Sequence, residues 1–137
     1  MYLGFDVPTC LAEVFQEYRL INRSLNAPYL IGFQLARPLQ LLDLTSTWPL
    51  HIGASNAINA TDNKERTRQW ARALRDRYPD ADGLLHVSSL TGHRGVALFN
   101  PAESALPDRP QFSEPLDNAA LADALNDAAD QIGYHLL

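Results

Sequence analysis

DGLLHVSSLTGHRGVALFNP, Asp82 to Pro101, is the stretch whose reading decides the rest of the chain. Leu84 to Ser88 is short, apolar and bounded by turn residues, which predicts a strand. Thr91-Gly92-His93 is turn chemistry, because Gly92 takes a positive φ at no steric cost. Arg94 to Phe99 predicts a second strand, stopped by the loop dipeptide Asn100-Pro101. The two strands form a hairpin near the centre of a sheet. Its inner polar residues, His86, Ser88 and Ser89, need a reason to be there.

Working outward, Met1 to Phe5 reads as a strand with no lead-in, followed by start signals in Asp6, Pro8 and Thr9. Leu11, Val14, Phe15 and Tyr18 recur at helical spacing and predict a helix from about Pro8 to Arg19, with Glu13 away from the apolar stripe. On periodicity alone Glu13 is a solvated acid. Tyr29 to Leu35 and Leu39 to Leu44 read as strands split by Arg37-Pro38. Thr45 to Ala60 is a long loop holding Trp48, His51, Gly53 and Asn56. Thr61 or Asp62 caps a helix over roughly Asn63 to Tyr78, with Trp70, Ala73, Leu74 and the stem of Arg77 on its buried side. Ala102 to Glu114 reads as irregular. A last helix starts at Asp117 or Asn118, carries Leu121, Leu125, Ala128 and Ile132 on one face, and stops at Gly133 before a short strand, Tyr134 to Leu136.

These elements predict an α+β fold: a single domain over residues 1–137, with a curved mixed sheet and about three helices. The 137 residues suffice for a core without disulfides or metals, and a composition 46% apolar and 20% charged is that of a globular protein. A single cysteine, Cys10, points to a reducing cytoplasm. No signal peptide and no run long enough to span a membrane is evident. The net charge of −5 argues against general nucleic-acid binding. Neither a G-x-G-x-x-G turn nor a P-loop is present, which argues against a dinucleotide-binding Rossmann fold or a triphosphate site.

Motifs with a fixed chemistry are scarce. The four histidines stand singly, so no metal centre is expected. A Ser-His-acid hydrolase built from Ser88 with His86 or His93 lacks the sharp turn that exposes a nucleophile. Lys64, Arg68, Arg72 and Arg75 share one helix face. A solvated face is the plain reading of them; a docking surface for an acidic partner is the sharper one, since arginine forks suit carboxylates and phosphates.

Three places together resemble the RES domain, the toxin half of bacterial type II RES–Xre toxin–antitoxin pairs. Tyr2 with Glu13, eleven positions on, resembles the family's strand-then-helix signature. DGLLHVSS resembles its glycine-led strand ending in a serine, by register Ser88 rather than Ser89. ALFNP, Ala97 to Pro101, resembles the following strand and loop, and LDLTSTW and TRQWARAL also look like the longer branch of the family. The resemblance implies an ADP-ribosyltransferase-like fold acting on NAD as substrate, with no metal. It implies cleavage of the nicotinamide–ribose bond by phosphorolysis, hydrolysis or transfer to a protein. Glu13 would stabilise the ribosyl cation and grip the ribose hydroxyls, Ser88 would orient a ribose or amide group, and Tyr2 would wall the nicotinamide or ribose. The implied partner is an Xre-type helix-turn-helix antitoxin.

Family members carry arginines before the tyrosine strand that grip the dinucleotide's phosphates. By this comparison the chain is N-terminally shortened, with Arg19, Arg23 or Arg94 as candidate substitutes. Two other readings stay open: a catalytically impaired interaction module that binds the antitoxin, and an α/β domain of unrelated function. The first strand's open edge would also offer a route to homo-oligomers.

Overall fold

A computed structural model describes residues 1–53 and 64–137. In chain order its elements are β1 (Tyr2–Gly4), α1 (Val7–Phe15), β2 (Leu20–Ile21), β3 (Tyr29–Gly32), β4 (Leu41–Asp43) and a one-turn α2 (Trp48–His51). Then follow α3 (Lys64–Arg77), β5 (Gly83–Val87), β6 (Arg94–Leu98), β7 (Phe112–Pro115), α4 (Ala122–Ile132) and β8 (His135–Leu136), with 3₁₀ turns at Asn100–Ala105 and Ala119–Leu121. The architecture is α+β. The expected cap at Thr61 or Asp62, the helix start at Asn63, and Asn56 lie outside the described residues.

The main sheet has the order β1-β6-β5-β4, so the β5–β6 hairpin is central as its sequence predicts. β6 runs antiparallel to both neighbours, and β4 joins β5 in parallel. Gly92 takes φ +73°, which closes the Ser88–His93 turn without strain. Residues paired across a sheet share a face, and alternate residues along a strand face opposite ways. Leu42, Leu84 and Ala97 therefore line one face, where Leu74, Trp70 and Ala71 of α3 cover them. Val96 and Leu98 line the other, against Leu3, Leu85, Ala102 and Leu106.

A second core lies between α1 and α4, where Leu11, Ala12, Ile21, Leu116, Leu125, Ala128 and Tyr134 close together. Ile21 is completely buried, and burial of such a side chain stabilises by about 1.5–3 kcal/mol. α4 is preceded by Asn118, whose side chain accepts from the Ala120 amide, and it ends at Gly133.

Several sequence readings need correction. α1 ends at Phe15, four residues short of the expected Arg19, which instead adopts φ +52° and turns the chain into β2. β2 then pairs in parallel with β8. This pairing pulls the chain off the helical path, so Tyr18 is exposed and Val14 faces outward. The buried face of α1 is Val7, Leu11, Ala12 and Phe15, set by α4 rather than by the apolar stripe. On α3, Ala71 rather than Ala73 packs on the sheet. The segment read as irregular holds β7, which pairs with β3 in a separate two-stranded sheet. Leu35 and Leu39 lie outside strands, and the loop after Thr45 contains α2.

One ion pair ties the sheet's parallel edge to its surroundings. Asp82 is buried, and Arg37 donates to it from both Nη1 and Nη2 at 2.9 and 2.8 Å. The Gln40 amide donates to the same carboxylate at 2.8 Å. Arg37 also donates to the Pro101 carbonyl and to Ser104. The Arg37 fork and the Gln40 amide hold the Asp82 carboxyl below the usual carboxylate range, against the opposing effect of burial.

Candidate functional site

The site is built where α1 meets the β5–β6 turn. Asp6 caps α1 by accepting from the Thr9 amide at 2.8 Å, and Pro8 sits in the first turn where no amide is missed. Thr9 and Glu13 are one helical turn apart, so both face the hairpin turn. The Ser88 hydroxyl donates to Glu13 Oε1 at 2.6 Å. Thr9 Oγ1 and Thr91 Oγ1 lie 2.9 Å apart, and His93 Nδ1 is 3.0 Å from Asp6 Oδ2. Three tethers thus join the helix that carries Glu13 to the turn that carries Ser88.

Ser88 is buried, 3% exposed, whereas Glu13 is exposed. The Ser88 Oγ also accepts from the backbone amides of Leu90 and Thr91 at 3.2 and 3.4 Å. Its proton is committed to Glu13 and its lone pairs to the turn, so Ser88 is a fixed donor beneath a carboxylate and not an activated nucleophile. Its neighbour Ser89 is exposed, in keeping with the register that favours Ser88. No described residue donates to Glu13 Oε2, and no described cation pairs with Glu13. A carboxylate with one oxygen anchored and one open can receive a ligand hydroxyl or face a developing positive charge.

The floor beside it comes from the sheet. Tyr2 pairs with Ala97, and Ala97 with Leu84, forming one cross-strand row. The next row on the same face is Gly4, Gly95 and His86. A methyl group at Gly95 would meet the His86 ring at 3.0 Å and the Leu3 carbonyl at 3.2 Å; one at Gly4 would meet Cys10 Sγ of α1 at 2.8 Å. The missing side chains let His86 lie across the floor and let α1 close down beside it. Both α1 and α3 therefore stand on this one face, with Tyr2 and His86 between them. Tyr2 itself is 73% exposed and makes no hydrogen bond to Glu13 or Ser88 among the described residues. The fold joins Glu13 to Ser88 directly and sets Tyr2 on the same sheet face, two strand rows away from Ser88.

Burial opposes ionisation of Asp6, but the Thr9 amide and hydroxyl and the His93 ring outweigh it and hold its carboxyl below the usual range. Burial pushes the Cys10 thiol up, and the nearby charges of Asp6 and Glu13 add to this, so Cys10 is a poor nucleophile. Among the described residues no group of three or more histidines, cysteines or acids could hold a metal ion. No described helix is long and apolar enough to cross a membrane.

The sequence did not single out the Thr9–Thr91 and Asp6–His93 tethers. The signal was a helix cap and a turn that become neighbours only through β1–β6 pairing. Of the arginines offered as phosphate grips, Arg23 donates to the Leu137 carbonyl and Arg94 lies over the Phe5 ring. Arg94 pairs across from Val87, on the face opposite His86. Instead, Arg68, Arg72 and Arg75 of α3 share a groove with Tyr2.

The family description of the RES domain matches residues 1–117. No curated protein and no solved structure matches the chain.

Proposed function

The chain belongs to the RES domain family, and from that premise we propose that it is the toxin of a bacterial toxin–antitoxin pair, cleaving the nicotinamide–ribose bond of NAD in an ADP-ribosyltransferase-like fold. Membership of the family is consistent with a toxin–antitoxin role. The observation that carries the chemical reading is the 2.6 Å bond from the buried Ser88 hydroxyl to the exposed Glu13 carboxylate.

In this reaction the bond between ribose C1′ and the pyridinium nitrogen breaks, and its electron pair goes to that nitrogen. Nicotinamide leaves neutral, so the leaving group needs no proton and no general acid. This removes one of the two carboxylates that ordinary glycoside hydrolysis requires. What remains is an oxocarbenium-like ribosyl cation, and one fixed carboxylate answers that demand. Glu13 faces the developing charge through Oε2 while Ser88 holds Oε1, so the carboxylate does not reorient as the charge forms. Hydrogen bonds from the ribose hydroxyls to Glu13 tighten towards the same state. Tyr2, on the same sheet face, supplies an aromatic wall for the nicotinamide or ribose. The cation is then captured by phosphate, water or a protein nucleophile.

An Xre-type antitoxin is the proposed partner. The test is to incubate the purified chain with NAD, with and without inorganic phosphate, and to follow free nicotinamide and the ribosyl product. The reading expects nicotinamide release, with an ADP-ribose 1″-phosphate product if phosphate is the acceptor. NAD left intact under both conditions would overturn it. Growth arrest on expression, relieved by co-expression of a neighbouring helix-turn-helix protein, tests the toxin–antitoxin setting separately.

A further inference from the structure

Two charged stripes of opposite sign and identical spacing stand on different helices of this chain. Arg68, Arg72 and Arg75 of α3 are exposed and follow an i, i+4, i+7 pattern. Asp123, Asp127 and Asp130 of α4 are exposed and follow the same pattern. Each stripe keeps to one side of its helix and runs about 10 Å along the axis.

Neither stripe is neutralised from within. Among the described residues Arg68 and Arg72 have no carboxylate partner, and Arg75 has only its neighbour Asp76 at 3.6 Å. The three aspartates have no cation partner among the described residues, and α4 itself holds no lysine or arginine. Like charges one turn apart destabilise the helix that bears them. Asp130 also adds a negative charge to the negative end of the α4 dipole. A partner of opposite charge relieves both costs.

The two stripes do not meet within one chain. The aspartates lie on the side of α4 opposite Leu125 and Ala128, which are buried against α1, so they face away from their own molecule. The arginines border a hollow. With Tyr2, Ala97 and Phe99 they line a groove of about 190 Å³ between α3 and the β1 side of the sheet. β1 ends the sheet there, so no described strand lies beyond it. The groove is two strand rows from Ser88, about 14 Å along β5, and so stands outside the Glu13–Ser88 pair.

We propose that the chain self-associates through these stripes, with the α4 aspartates of one copy seated against the α3 arginines of a second. The matched spacing brings the arginines and aspartates into register, and guanidinium forks suit carboxylates. Each copy carries one stripe of each sign, so a two-fold pair of copies satisfies both. Exposed ion pairs are individually weak, which makes this a weak and salt-sensitive interface.

The test is sedimentation equilibrium of the wild-type chain over roughly a hundredfold range of concentration, at about 50 mM and about 500 mM salt. The stripes predict association that weakens as salt is added. An interface held by apolar contact would strengthen instead, because salt screens the overall repulsion between two chains of net charge −5. Arg68→Glu/Arg72→Glu and Asp123→Arg/Asp127→Arg should each weaken self-association at least about tenfold, and an equimolar mixture of the two should recover it. Recovery in the mixture excludes misfolding as the cause of the loss. A wild-type chain that stays monomeric throughout overturns the proposal and leaves the arginine stripe to an acidic segment of another protein. Association that salt strengthens, or that neither variant alters, overturns it in favour of another surface, such as the open edge of β1. Variants that fail to associate when mixed overturn it as well. No turnover is measured, so the result stands whether or not NAD is cleaved.

Discussion

Two carboxylates near opposite ends of the β5–β6 hairpin are treated differently by the fold. Asp82, just before β5, is buried and neutralised, with a two-pronged arginine and a backbone amide on its oxygens. Glu13, reached from the other end of β5, is exposed and takes one hydroxyl from Ser88. The first has both oxygens bonded and its charge matched by a guanidinium, which is how a carboxylate holds a fold together. The second is oriented but not neutralised, which is how a carboxylate meets a cation formed during a reaction. Satisfaction, more than the kind of residue, separates a structural acid from a chemical one.

The contrast breaks most visibly in stability. Asp82→Ala leaves Arg37 without its partner and the Gln40 amide without an acceptor, and should cost roughly 2–4 kcal/mol in urea unfolding. Glu13→Gln should change the same measurement by less than about 0.5 kcal/mol, as exposed substitutions do. If the two variants unfold alike, the distinction fails. Ser88→Ala sharpens the other half. Removing the anchor of Oε1 should slow nicotinamide release about tenfold, equivalent to about 1.4 kcal/mol, with NAD affinity changed much less.

Acid separates the two regions again. Asp82 and Asp6 both have carboxyl pKa values below the unfolded value of about 3.9. A depressed folded pKa adds stability that is fully present above the unfolded value. That stability is lost as pH falls through the folded pKa. The chain should therefore lose stability below about pH 4, and Asp82→Asn should flatten that limb more than Asp6→Asn, since only the former carboxylate is held by an arginine fork. The smallest effect on rate is expected from Thr9→Val, which removes one hydroxyl tether and should cost about 1 kcal/mol of stability with only a modest fall in rate. A Thr9→Val variant with wild-type stability would show that the Thr91 contact does not hold α1 to the turn.

Much of this arrangement was legible in the sequence because local patterns carried it. The glycine in Thr91-Gly92-His93 announced the turn, the Leu84 and Val96 runs announced the central strands, and Gly133 marked the end of α4. The long-range features were not legible. Arg37 and Asp82 are forty-five positions apart and looked like a strand break and a turn residue. The short span of α1 depends on β2 pairing with β8, at the far end of the chain. β7 was hidden by the prolines around it, because its partner β3 lies about eighty residues earlier. Periodicity made Glu13 a plain surface acid, and only the family resemblance raised it to a site residue. It is indeed exposed; what periodicity could not supply was the hydroxyl beneath it. The arginine face of α3 was visible, but its groove with Tyr2 required β1 to be placed beside β6.

The central claim is that the open side of the Glu13 carboxylate stabilises a ribosyl cation, and the rate of nicotinamide release by Glu13→Gln at saturating NAD tests it most directly. The substitution keeps the size of the side chain and removes the charge. The account predicts a fall of roughly 100- to 1000-fold beside the wild-type chain, with KM little altered. A Glu13→Gln protein that releases nicotinamide at the wild-type rate would contradict it.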